Sequence, residues 1–174
     1  MSTILAVDPG VRGCGVALFV HSLTGERLRR AAYVRNPHKT GDGMGEVESM
    51  ARAVRDSFDR MACVTFDRLV LEFPQVYTGA RAKGDPRDLL ALAAVDGAIC
   101  GFVHHTEAVR VLPREWKGQV DPDVLIERVK ARLLPAEIAA VELPCASLAH
   151  NVWDAVGLGL FSVGRFHAHH VIAR

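Results

Sequence analysis

Three carboxylates stand out in this chain because each sits in an apolar setting. Asp8 ends the apolar run of residues 3–8, just before the turn Pro9-Gly10. Glu72 lies within Leu69-Val70-Leu71-Glu72-Phe73-Pro74, and Asp154 within Trp153-Asp154-Ala155-Val156. A charge among apolar neighbours is costly unless it is paired or bound to a metal. His150 and Asn151 precede Asp154 by four and three residues, so on a helix all three share one face. Carboxylates from three separate segments, joined by a histidine or an asparagine, make an oxygen-rich donor set of the kind magnesium and manganese prefer. Two such ions roughly 3.5 to 4 Å apart can activate a water, stabilise a leaving oxygen and clamp a phosphate during in-line displacement. Phosphodiester hydrolysis is therefore the chemistry this constellation suggests, provided the fold brings the segments together. The plainer alternatives are an aspartate capping its own turn, a solvated strand-end glutamate and a histidine making only a local hydrogen bond.

The elements that must position these residues can be read from periodicity and punctuation. Residues 3–8, 14–20 and 28–34 are apolar runs separated by Pro9-Gly10 and Thr24-Gly25, which predicts three consecutive antiparallel strands. Val47, Met50, Ala51, Val54, Phe58 and Met61 recur at helical spacing and predict an amphipathic helix over 46–62. Residues 68–73 form a short strand closed by Pro74. Asp85-Pro86 and Asp121-Pro122 each place a capping aspartate before a proline, predicting helices over about 86–103 and from 122 to about 134. A strand over 109–112 lies between them, and a last helix is expected over 146–164. The order βββαβαβαα predicts an α/β domain with a mixed five-stranded sheet, three antiparallel strands followed by parallel ones, and helices on both faces.

The 174 residues suit one domain, and the net charge of +1 gives no bulk field that would attract a polyanion. The charge is polarised all the same: residues 23–40 carry an excess of four positive charges, with Arg35 and Lys39 among them, and residues 42–59 an excess of three negative ones. The longest apolar stretch, residues 89–103, is broken by Asp96 and too short to span a bilayer, so no membrane partner is expected. The first residues lack the basic segment of a secretory signal, and a cytoplasmic location is expected. Cys14, Cys63, Cys100 and Cys145 show no C-x-x-C pairing and are expected to be buried free thiols. His167, His169 and His170 have no acids or cysteines nearby and are not expected to hold a metal.

Beyond the residue chemistry, Ile4-Leu5-Ala6-Val7-Asp8-Pro9-Gly10-Val11-Arg12-Gly13-Cys14-Gly15-Val16-Ala17 resembles the first hairpin of the RuvC-type Holliday-junction resolvases, members of the RNase H-like and retroviral-integrase superfamily. Leu71-Glu72-Phe73-Pro74-Gln75-Val76-Tyr77 is similar to their second acidic strand, and His150-Asn151-Val152-Trp153-Asp154-Ala155 to the helix carrying their last acidic pair. Residues 85–92 and 113–120 further resemble the phage-type branch. The resemblance implies an RNase H-like fold and a magnesium- or manganese-dependent endonuclease that nicks branched DNA symmetrically as a homodimer. It also implies two ions per site, with Asp8, Glu72 and Asp154 as ligands. The commonest pattern has an aspartate three residues before the last one; Asn151 stands there, His150 one residue earlier, and either is a candidate fourth ligand. His150 is also a candidate general acid or base.

Around this site, Tyr77, Arg81, Lys83 and Arg87 follow Glu72 as aromatic and basic groups suited to stacking an unpaired base and holding phosphates. Lys117, in Pro113-Arg114-Glu115-Trp116-Lys117-Gly118, is placed to meet a phosphate near the metals, and Trp116 is expected to pack. Two other readings stay open: a YqgF-like RNA-processing nuclease of the same superfamily, and a non-catalytic junction-binding module.

Overall fold

The computed structural model describes residues 2–38, 43–59, 65–76 and 85–167. Strands β1 (Thr3–Asp8), β2 (Gly13–Ser22) and β3 (Gly25–Arg35) form the antiparallel meander expected from the apolar runs. Helix α1 (Met44–Asp59) follows, then β4 (Phe66–Glu72), α2 (Pro86–Phe102) and β5 (His105–Val111). The remaining elements are α3 (Pro113–Trp116), α4 (Pro122–Lys130), α5 (Pro135–Ile138), β6 (Val141–Glu142) and α6 (Ala149–Ser162), the last entered through a 3₁₀ turn at Ala146–Leu148.

The sheet has six strands in the order β5-β4-β1-β2-β3-β6, one more than the sequence predicts. The addition is β6, whose two residues pair in parallel with Ala31 and Ala32 of β3 and are too few to show an alternation. Strand β4 runs parallel to β1, and β5 parallel to β4. β5 begins at His105, four residues before the predicted start. As an edge strand it carries exposed Thr106, Glu107 and Ala108, so its first half has no apolar signature. The predicted helix at 122–134 ends at Lys130 as α4, and α5 is a separate short helix beyond it. Both aspartate caps form: the Asp85 carboxylate accepts from the Arg87 N–H at 2.9 Å and that of Asp121 from the Asp123 N–H at 3.0 Å.

Alternation along the strands sorts the core into two layers. Leu5, Val7, Cys14, Val16, Leu69 and Leu71 point to the face covered by α1 and α2, joining Met50, Val54, Val95 and Ile99. Ile4, Ala6, Ala17, Ala31 and Val70 point to the opposite face, under α6, α4 and Trp116. Glu137 closes this second layer: its buried carboxylate accepts from the backbone N–H of Leu28 (2.8 Å) and Leu134 (2.9 Å) and from both terminal nitrogens of Arg165 (2.7 and 2.8 Å). Burial opposes its charge, but the Arg165 guanidinium and the two amides hold its carboxyl down at about 2. The expectation of four buried thiols is corrected in part: Cys14 is buried, Cys100 half-buried and Cys145 exposed, while Cys63 lies outside the described residues.

Asp96 is the anomaly of this core. It sits on the sheet-facing side of α2 between Val95 and Ile99, is 2% exposed, and neither carboxylate oxygen has a hydrogen-bond partner among the described residues. Burial pushes its carboxyl up to about 8, and the charge of Glu72 adds to the rise. The native state then keeps a proton that the unfolded chain releases near the ordinary aspartate value, so stability falls as pH rises from about 4 to about 8. Replacing Asp96 by Asn removes that dependence. The melting temperature of the variant relative to wild type is expected to climb across this window, by the equivalent of a few kcal/mol in all, and to level off above it. Thermal melts at pH 4, 6, 8 and 9 check this; parallel curves for the two proteins contradict it.

Candidate metal centre

Strand alternation delivers the first two carboxylates. In β1, Ile4 and Ala6 face α6, and Asp8 continues that face at the strand's end; in β4, Val70 does so and Glu72 follows it. Because β1 and β4 are parallel, with Ala6 beside Val70 and Val7 beside Leu71, the two acids emerge at the same edge of adjacent strands. Asp154 descends from α6, which covers this face. Its close seat depends on Gly15, the partner of Asp8 in β2: a Cβ there would overlap the backbone carbonyl of Asn151 in the first turn of α6. The half-buried carboxylates of Asp8, Glu72 and Asp154 thus each present an oxygen within 4.8 Å of the other two.

A segment the sequence marked less strongly completes the arrangement. Strand β5 runs beside β4 and hands over to α3 at Pro113, and the Glu115 carboxylate accepts from the Leu112 N–H at 2.6 Å to fix that start. Trp116 is fully buried, as expected of a packing residue, and its indole N–H also donates to Glu72 Oε2 at 2.6 Å. Lys117 turns into the cluster, its Nζ 2.9 Å from Glu72 Oε1 and 2.8 Å from Asp154 Oδ2. One helical turn therefore holds two of the three carboxylates, through an orienting hydrogen bond and a shared ammonium.

The electrostatics follow from this crowding. Burial, then the charges of Glu72 and Asp154, raises the Asp8 carboxyl well above the usual aspartate range, against the pull of Lys117. Burial likewise raises Glu72, with the Lys117 ammonium and the Trp116 N–H partly offsetting it. Burial works against the Lys117 ammonium, but attraction to Glu72, Asp154 and Asp8 outweighs it and raises the group above its ordinary value. One cation faces three acids, and the two raised carboxyls record the remaining deficit of positive charge. Hard divalent cations would supply it: the donor set is all oxygen, with the separations of a shared cation site.

The other sequence-predicted residues lie as follows. His150 is exposed and lines, with Asp154, Lys117, Val120, Ile126 and Trp153, an apolar groove of about 820 Å³ beside the carboxylates. The Asn151 side chain donates to the Leu148 carbonyl at 3.3 Å. Arg87 is exposed at the start of α2; Tyr77, Arg81 and Lys83 lie outside the described residues. His167 is exposed, with His169 and His170 outside the described residues, and among those described only Asp8, Glu72 and Asp154 form a group with metal-ligand spacing. The roles that sequence reasoning missed are the hydrogen bond of Trp116 to Glu72 and the buried Asp96. For Asp96 the signal was there, a lone acid inside an apolar helix.

No protein-family model matches the chain, and no curated protein does. Solved structures do. RuvC from Thermus thermophilus in complex with a Holliday junction substrate superposes with a TM-score of 0.57 at 12% identity, covering 91% of this chain and 90% of that one. The fowlpox virus Holliday junction resolvase gives 0.54 at 15% identity, over 93% of this chain and 98% of that one. Ydc2, the yeast mitochondrial Holliday junction resolvase, gives 0.54 at 8% identity, over 90% and 77%. The chain therefore has the RuvC-type, RNase H-like fold that its three acidic motifs resemble.

Proposed function

We propose that this chain is a metal-dependent endonuclease that cuts four-way junctions and related branched DNA as a homodimer. The observation that carries the reading is the convergence of Asp8, Glu72 and Asp154 at one sheet edge, in a fold whose solved examples include resolvases with Holliday junction DNA. Asp8, Glu72 and Asp154 would hold two magnesium or manganese ions, with His150 or Asn151 as the remaining candidate ligand. Bound there, the ions supply the Lewis acidity that phosphodiester hydrolysis needs. Trp116 holds Glu72 in one orientation, and Lys117 lowers the charge repulsion among the acids and offers a cation to a phosphate oxygen. His150, exposed in the groove it shares with Asp154, would give a proton to a leaving oxygen. Tyr77, Arg81, Lys83 and Arg87 would contact the DNA near the branch. Among the described residues, no helix is long and apolar enough to cross a membrane.

The homodimer has a candidate surface. Leu90, Ala94, Gly97 and Gly101 recur on one exposed face of α2, Leu90 is 72% exposed, and open space lies beyond both glycines. Paired cuts need two active sites held together, and a self-complementary patch of small residues suits a two-fold helix contact. Gly97→Arg is expected to shift the mass measured by light scattering from dimer to monomer, and to turn paired junction cuts into single nicks. A wild type that is monomeric at micromolar concentration contradicts this.

Cleavage of synthetic four-way junction, flap, linear duplex, single-strand and RNA hairpin substrates with magnesium or manganese tests the activity itself. Wild type is expected to cut the junction in symmetric pairs. Asp8→Asn should cost about three orders of magnitude in rate with little loss of binding, because the carboxylates act as a unit. Lys117→Met should cost about 100-fold. It should also move the acidic limb of the pH–rate profile upward, since Asp8 and Glu72 then keep their protons to higher pH. Cutting confined to RNA, or junction binding with no metal-dependent cutting, overturns the reading.

A further inference from the structure

A second charged site lies two strands away from the carboxylates on the same face of the sheet. Along β3, Ala31 faces α6, so Tyr33 and Arg35 face the same side. In register, Asp8 pairs with Gly15 and Gly15 with Tyr33, which places Tyr33 roughly 10 Å from Asp8, two strand spacings across. Arg35 pairs with Gly13, and the Asn36 N–H donates to the Arg12 carbonyl at 3.0 Å, so Arg12 and Arg35 come from neighbouring positions of the hairpin. They line a cavity of about 450 Å³ with Tyr33, Asn36 and His38, in which Glu46 is the one acidic lining residue among those described.

Three observations point to an anion. First, Arg12 and Arg35 line the same cavity and neither forms an ion pair among the described residues, a state they share with Arg27, Arg29, Arg87, Arg110, Arg114 and Arg132 elsewhere. Two guanidiniums lining one cavity favour an anion within it. Second, the Tyr33 hydroxyl lies over Gly13, where a Cβ would overlap it, and has no hydrogen-bond partner among the described residues. Burial raises that phenol further above its ordinary value, so it is a protonated donor. Third, the cavity is built. The buried Asn36 amide donates to the carbonyls of Val11 and Glu46, both at 2.8 Å, and its oxygen accepts from the His38 N–H at 3.1 Å, which ties the turn after Asp8 to the start of α1. Leu148, just before α6, forms another wall, so the first turn of α6 separates this cavity from the groove beside His150.

We propose that Arg12, Arg35 and the Tyr33 hydroxyl bind a backbone phosphate of the DNA strand that enters the carboxylate cluster, as a seat distinct from the position of the cleaved phosphate. The proposal rests on the DNA-cleaving reading above. Lys117 then meets the strand on one side of the acids, and the Arg12–Arg35 seat fixes it on the other. Positioning at two points is what aligns a scissile bond.

The test is binding of a fluorescent four-way junction in chelator, across a salt series, by wild type, the Arg12→Gln/Arg35→Gln double variant, Arg12→Lys/Arg35→Lys and Tyr33→Phe. Both arginines are exposed, and circular dichroism melts are expected to superpose. Loss of the seat should weaken binding about tenfold and reduce the slope of log affinity against log salt by about 1 to 2, while the lysine variant keeps most of the slope. A scan of single neutral methylphosphonates along each strand then locates the contact: one position should weaken wild type and Tyr33→Phe but leave the glutamine variant unaffected. An unchanged slope, with the same losses at every position in both proteins, overturns the seat. Wild type that binds duplex as tightly as junction overturns only the junction reading, and the scan on duplex then judges the seat by the same criterion. Wild type that binds no DNA overturns both.

Discussion

Three half-buried carboxylates held within 4.8 Å of each other around a single ammonium are the constraint to which the rest of the molecule answers. Left alone they would repel one another, and burial magnifies the effect, as the raised carboxyls of Asp8 and Glu72 show. Lys117 and the Trp116 N–H offset only part of this. The hydrophobic layers beneath β1 and β4 and the packing of α6 hold the acids together, so stability made elsewhere is used to keep a poised cation site. The position of Lys117 follows from the same requirement. It pairs with two of the three carboxylates, Glu72 and Asp154.

Keeping α6 close is the second requirement, and small residues meet it. Gly15 lets the first turn of the helix lie on β2, and Gly157 leaves room for the Trp116 ring, whose other edge reaches Glu72. Trp116 therefore couples the core to the site: its ring packs in the apolar layer while its N–H orients the Glu72 carboxylate of the cluster. At the other end of the same layer, the Glu137–Arg165 pair binds β3, α5 and the segment after α6 into one unit. Both devices reduce the freedom of the helix that carries Asp154.

What could be read from the sequence was what violates its surroundings or follows a period. Asp8, Glu72 and Asp154 were visible as charges in apolar segments, and β1–β3 and α2 as runs with clear punctuation. Their convergence was not visible, because it depends on parallel pairing of β4 with β1 and on the crossing of α6. β6 escaped notice because two residues carry no alternation, and half of β5 because an edge strand can be polar. Trp116 read as packing because a hydrogen bond between residues 44 apart leaves no local mark. Arg35 was visible only as part of a basic stretch; that it lines one cavity with Arg12 appears once the hairpin is folded.

The most direct measurement of the central claim is calorimetric titration of metal-free protein with manganese in two buffers of different ionisation heat, near pH 6.5. Saturable binding is expected, with proton release that grows as the pH is lowered, because burial raises the Asp8 and Glu72 carboxyls and a bound cation draws them down. Both signals should vanish in Glu72→Gln and Asp8→Asn. Manganese that fails to bind, or that binds equally well to both variants, would contradict the assignment of these carboxylates as a metal centre.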